Sequence, residues 1–202
     1  MKKILLLAIT LLTVMTAGAQ NEQGEASITP RAGLNLATLA GDKDGKLLPS
    51  YALGFDVEWG LTNNLGLTAG LFFSQQGEKD KTHDLTLRLG YVNVPFTVHF
   101  YPIKRLAFKA GVQIGFLASK KAKQGDTKID FDRLEAMKIL PKEFNNVDVS
   151  IPMGISYEIK NFMLDVRYNM GLTRVFKESA GYDSYRNSVI QFSLGYRFSL
   201  GD

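Results

Sequence analysis

Two histidines and no cysteine set the limits on chemistry in this 202-residue chain. Without thiols there is no Cys nucleophile, thiolate zinc site, disulfide or lipid-modified N-terminal cysteine. His83 stands beside Asp84, with Ser74 across the same polar stretch, and these are the residue types of a Ser–His–acid hydrolytic site. Such a site needs three groups in mutual hydrogen-bond reach, which a solvated loop does not specify. His99 lies at the opposite end of the strand that follows and cannot complete it. No Gly-rich phosphate loop, HExxH or GxSxG motif is present. No catalysis, metal or cofactor is expected.

The larger set of chemically active residues is electrostatic. Arg31, Arg88, Lys109, Arg167 and Arg197 face Asp56, Glu58, Asp148, Glu158 and Asp165, five of each sign, all at polar positions of alternating segments. Eight of them, excepting Arg88 and Asp148, cluster toward one end of those segments, so they fall in neighbouring layers. If that polar face is enclosed, the charges must pair, because an unpaired buried charge costs several kcal/mol. Balanced pairing makes a polar plug rather than a water-filled pore.

The positioning elements are strands. Ile190, Phe192, Leu194, Tyr196, Phe198 and Leu200 alternate with polar or small residues, as do Val147–Ile159 and Phe162–Gly171. Fainter copies run over Ile28–Leu36, Tyr51–Trp59, Leu65–Phe73 and Leu106–Phe116. In Leu85–Phe100 the apolar set changes phase after Tyr91, and a β-bulge near Tyr91–Val92 accounts for the switch. These eight strands are longer than the roughly 5–6 residues usual in soluble sheets and suit tilted membrane strands of about 9–11. Connections alternate between short (Gly60–Asn64, Tyr101–Arg105, Lys160–Asn161) and long (Ala37–Ser50, Ser74–Asp84, Ala118–Asn146, Leu172–Ser188). The expected fold is all-β: an eight-stranded antiparallel up-and-down transmembrane β-barrel.

Three features place the apolar face outside. Ten glycines, from Gly33 to Gly195, lie on the polar face, and a small barrel has little room inside. Trp59, Phe100, Tyr101, Tyr157, Phe162 and Phe198 collect near the short turns like an interfacial girdle. The chain also opens on a secretory signal: Lys2 and Lys3, the apolar run Ile4–Met15, then Ala17-Gly18-Ala19 before Gln20. The expected division is a signal peptide over 1–19, a short periplasmic segment over 20–27 and a barrel over 28–202. Cleavage lowers the net charge from +4 to +2, so a nucleic-acid partner is not expected.

Three segments carry a family resemblance. Tyr91-Val92-Asn93-Val94-Pro95 resembles the Tyr-aliphatic-x-aliphatic-Pro signature of PorT-like outer-membrane β-barrel proteins, common in Bacteroidetes. Pro30-Arg31-Ala32-Gly33-Leu34-Asn35 resembles that family's first strand, and Leu194-Gly195-Tyr196-Arg197-Phe198 its last. Asn93 stands where the family often has Glu. The resemblance implies an outer-membrane protein; the type IX secretion role of one branch is not carried over. Short turns of such a barrel are periplasmic and its long loops extracellular, and an even strand count then puts both termini in the periplasm.

Recognition is expected at the long-loop end. Lys120, Lys121 and Lys123 form a basic cluster suited to lipopolysaccharide phosphates, and Tyr182 and Tyr185 mark the last long loop. Residues Ile129–Leu140 are predicted to form a short helix capped by Asp130, with Phe131, Leu134 and Met137 docking over the mouth. The partners expected are outer-membrane lipid and lipopolysaccharide, and extracellular or envelope proteins. Two rival readings remain: a lipid A-modifying membrane enzyme, and a secreted periplasmic lipocalin-like binding barrel.

Overall fold

The computed structural model describes residues 23–41, 45–80, 85–125, 127–136, 143–177 and 185–200. The signal segment 1–19, the cleavage site, His83, Asp84 and Tyr182 lie outside them. Eight long strands carry the chain: β1 (Ala26–Ala40), β2 (Leu48–Thr62), β3 (Leu65–Asp80), β4 (Leu85–Ile103), β5 (Leu106–Gln124), β6 (Val147–Ile159), β7 (Phe162–Gly171) and β8 (Arg186–Tyr196). Beyond Arg197, Phe198–Ser199 continues β8 along β1. Each strand pairs antiparallel with the next, and β8 returns to β1 with Leu34 opposite Phe192, which closes the sheet. Closure leaves no long strand with an open edge.

Two short connections turn on left-handed residues, Arg105 at φ 82° and Lys160 at φ 58°. At the other end β3, β4 and β5 run well past the apolar band, so Ser74–Asp80 and Ala118–Gln124 are strand where the sequence suggests loop. Short pieces at Gly45–Lys46 and Thr127–Ile129 extend this projecting sheet. A single turn of helix, α1 (Phe131–Ala136), begins directly after Asp130. Residues 137–140 of the expected helix, and the side chain of Leu134, lie outside the described part.

Burial is inverted relative to a water-soluble protein. Leu34 is 68% exposed, Leu53 51%, Leu164 49% and Phe192 47%, whereas Arg31, Asp56, Glu58, Asp165 and Arg197 are each at most 5% exposed. A chain in water would bury the first set and solvate the second. Apolar outside and polar inside is the arrangement of a barrel whose outer face meets lipid.

The interior has two storeys. Between Tyr101 and Asn93 the inward residues of β4 are Asn93, Pro95, Thr97, His99 and Tyr101. Above them Leu85, Leu87, Leu89 and Tyr91 also face inward, forming an apolar cluster with Leu39, Ala122, Phe144, Val175 and Phe176. The odd residues of β4 from Leu85 to Tyr101 thus point inward, and the phase change in its apolar pattern marks a change in what fills the barrel. The bulge belongs to the neighbouring strand: Gly90 pairs with Ser119 and Tyr91 with Leu117, leaving Ala118 as the extra residue. From there β5 switches parity, so Ala122 and Lys120 turn inward.

Candidate functional site

The lumen holds two linked charge clusters near the short-turn end. In the first, Asp165 of β7 accepts from Lys109 Nζ of β5 at 2.7 Å, and Arg31 Nη1 of β1 stands as an ion pair 3.2 Å from the same oxygen. Arg167 Nε stands 3.6 Å from its other oxygen. Asp56 of β2 pairs closely with Arg31, and Arg167 Nη2 is 3.9 Å away. Residues far apart in sequence thus form one compact group of three cations and two carboxylates. The second cluster centres on Arg197 beyond β8, with Glu158 at 3.4 Å and Glu58 at 3.6 Å. Tyr101 donates its hydroxyl to Glu58 at 2.6 Å and accepts from Arg197 Nη2 at 3.0 Å. The two clusters together carry four charges of each sign.

Glycines make room for this packing. A Cβ on Gly195 would lie 2.8 Å from both Arg31 Cγ and Thr29 Cγ2, and one on Gly66 would lie 3.0 Å from Glu58 Oε1. The long charged stems lie across these positions, so a side chain there would displace them.

Arg31, Asp56, Glu58, Lys109, Glu158, Asp165, Arg167 and Arg197 come together here. Arg88 and Asp148 do not. Arg88 sits on the outward face of β4, where its guanidinium donates to Gln75 Oε1 at 2.8 Å. Gly90, two residues on, shares that outward parity rather than lining the lumen. The reason is that beyond the lipid band the outer face meets water while the inner face is apolar, so polarity there marks the outside. Asp148 is inside but near the apolar storey, and its partners are neutral: Asn187 donates at 3.0 Å and Thr173 at 3.2 Å.

Residue type alone puts Tyr101 in the girdle and gives His99 no role. Both face the lumen, His99 fully buried. Their odd numbering on β4, opposite to the outward Phe96, Val98 and Phe100, is the available signal. Because a carboxylate only accepts, His99 Nδ1 donates to Glu58, and Nε2 is left to accept from the Thr97 hydroxyl at 3.0 Å. This Thr–His–Glu relay has the order of a hydrolytic triad, yet Thr97 is only 3% exposed and lies inside the charge plug, so no substrate reaches it. Ser74 is equally buried and accepts from Asn35 at 3.0 Å. Among the described residues no three His, Asp or Glu side chains are arranged to hold a metal.

The long-loop end is closed by ring packing. Phe131 of α1 meets Phe144 edge-on at 5.2 Å, Phe144 meets Phe176 at 5.0 Å, and Tyr185 reaches Phe176 at 6.0 Å. Lys120 lies over Phe131 and Phe144 at 5.2 and 5.0 Å. Lys120 and Tyr185 therefore belong to the cap, while Lys121 and Lys123 project outward into solvent.

A model of the outer membrane protein beta-barrel domain matches residues 18–177, most of the chain. The chain belongs to that family. Membership agrees with the inverted burial and locates the protein in the outer membrane. No curated protein sequence matches it. Among solved structures, the neisserial surface protein A is similar at 10% identity and TM-score 0.49, covering 91% of this chain and 99% of that one. The attachment invasion locus protein Ail of Yersinia pestis is similar at 16% identity and TM-score 0.45, covering 87% and 99%. OprG of Pseudomonas aeruginosa is similar at 12% identity and TM-score 0.42, covering 91% and 99%.

Proposed function

We propose that this outer-membrane barrel is a non-catalytic structural or interaction protein of the PorT-like branch, with a closed lumen and its recognition surface at the long-loop end. The observation that carries the reading is the double closure: paired charges below and a ring-packed cap above occupy the space a channel or an active site would need. In this reading the signal segment 1–19 is removed, residues 20–27 lead into the barrel from the periplasm, and the long loops face outward. Against the lipid A enzyme reading, its candidate Ser74 is buried and bonded to Asn35, and against the soluble-carrier reading, the inward apolar residues pack on one another as a cluster.

An epitope tag inserted at Gln124–Gly125 should be labelled by antibody on intact cells, and a C-terminal tag only after permeabilisation. Labelling of the C-terminal tag alone on intact cells reverses the orientation and moves recognition to the other rim. Conductance tests the closure separately. Purified protein in a planar bilayer should give no stable current, and large steady single-channel steps would reject the plug.

A further inference from the structure

Above the lipid band the outward face of β3, β4 and β5 becomes basic in an ordered way. Lys46 stands directly opposite Lys79, Arg88 opposite Lys121, and Lys123 opposite Lys128. Thr86 joins the rows, opposite Lys79 on one side and Lys123 on the other. Directly opposed residues project on the same face, and this face is the outer one, because Leu85, Leu87, Leu89 and Ala122 fill the inner one. Glu78 and Asp80 pair with Leu87 and Leu85, so they project on the inner face of the sheet. Like charges directly opposite one another weaken a sheet. Three such pairs side by side make a basic surface that a bound polyanion would stabilise.

Depth and width indicate which anion. Phe73, Val92 and Phe116 form the last apolar row of these strands, also in register. From Val92 to Arg88 the strand climbs about 13 Å, at ~3.3 Å per residue. With a tilt of roughly 35–45° this is about 10 Å along the membrane normal for the row of Arg88 and Lys121, and about 15 Å for the row of Lys79, Thr86 and Lys123 two residues higher. The layer beyond the hydrocarbon edge is the headgroup layer, some ~5–8 Å thick, and lysine stems bend back to reach it. Four strand spacings separate Lys46 from Lys128, about 19 Å at ~4.8 Å each, wider than one phosphate.

We propose that this patch binds the headgroup of a membrane lipid bearing more than one phosphate, in the leaflet at the long-loop rim. The inference rests on the proposed placement of that rim at an outer surface only for the identity of the leaflet. Binding to purified protein is measured independently of it. Lys120, turned into the cap, is not part of the patch.

The test uses the purified chain in zwitterionic micelles, with lipid A, phosphatidylcholine and inorganic phosphate as probes and native mass spectrometry as the readout. Wild type should retain lipid A in preference to phosphatidylcholine. The triple variant K121Q/K123Q/K128Q should lose about a hundredfold in affinity, roughly fivefold per lysine. R186Q removes an exposed cation from β8, on the far side of the barrel from β4, and should leave binding unchanged. Without lipid A the triple variant should be at least as resistant to urea as wild type, since it relieves like-charge repulsion. Retained affinity in the triple variant, an equal loss in R186Q, or lower lipid-free stability would overturn the proposal. Displacement of lipid A by millimolar inorganic phosphate would also overturn it, by identifying a free-anion site.

Discussion

Asp165→Ala should destabilise the folded barrel by about 3–5 kcal/mol, because it removes one of two carboxylates from a buried group of three cations. Lys109 loses its ion-pair partner, and Arg31 and Arg167 are left to share Asp56. The penalty is mostly that of stranded charge rather than lost attraction, and this can be separated. Adding Lys109→Met removes one stranded cation while keeping its apolar stem, so the double variant should recover part of the loss. Asp165→Asn, which keeps the shape and one acceptor, should cost less than the alanine variant. Urea titration in micelles, followed through the fluorescence of the single tryptophan Trp59 and by heat-shifted gel migration, measures all three. A cost below about 1 kcal/mol for Asp165→Ala would mean that water reaches the cluster and that the lumen is not closed.

How far the sequence foretells this site depends on depth in the membrane. Within the lipid band, side-chain parity and polarity carry the same information: the polar partner of each alternation points inward. That rule brings together Arg31, Asp56, Glu58, Lys109, Glu158, Asp165, Arg167 and Arg197 with no knowledge of register. It fails at Arg88 because the solvent changes there. Once the outer face leaves lipid, an outward arginine is solvated, and the inward positions Leu85, Leu87 and Leu89 close over one another instead. Polarity then reverses its meaning while parity continues unbroken along β4.

Other features are hidden for different reasons. Tyr101 has the residue type of an interfacial ring, while its parity with His99 and Thr97 places it inside. The extra residue Ala118 leaves no mark in its own strand's composition, since Ser119, Lys120, Lys121 and Lys123 follow it without a clear alternation. Only the pairing of Gly90 with Ser119 and Tyr91 with Leu117 reveals it. The cap depends on Phe131, Phe144, Phe176 and Tyr185, which come from separated segments. No local pattern encodes that meeting.

Val166→Arg tests the inverted burial itself. Val166 lies midway along β7, opposite Ile155 on one side and Phe192 on the other, and all three are exposed apolar residues. If this face met water, arginine there would be a surface change worth within about 0.5 kcal/mol. In a lipid-facing position near the bilayer midplane it should cost about 2–4 kcal/mol, because a guanidinium must be carried into hydrocarbon or drag water and headgroups toward itself. The effect should fade with depth. Phe162→Arg, at the short-turn end of the same strand, should cost at most about 1 kcal/mol from the charge, since its side chain reaches the headgroup layer. Folding into bilayers of fixed thickness and titrating with denaturant gives both values. Equal, small costs at the two positions would place the apolar face of the barrel in water, and the depth dependence, more than either value alone, is what only a spanning strand produces.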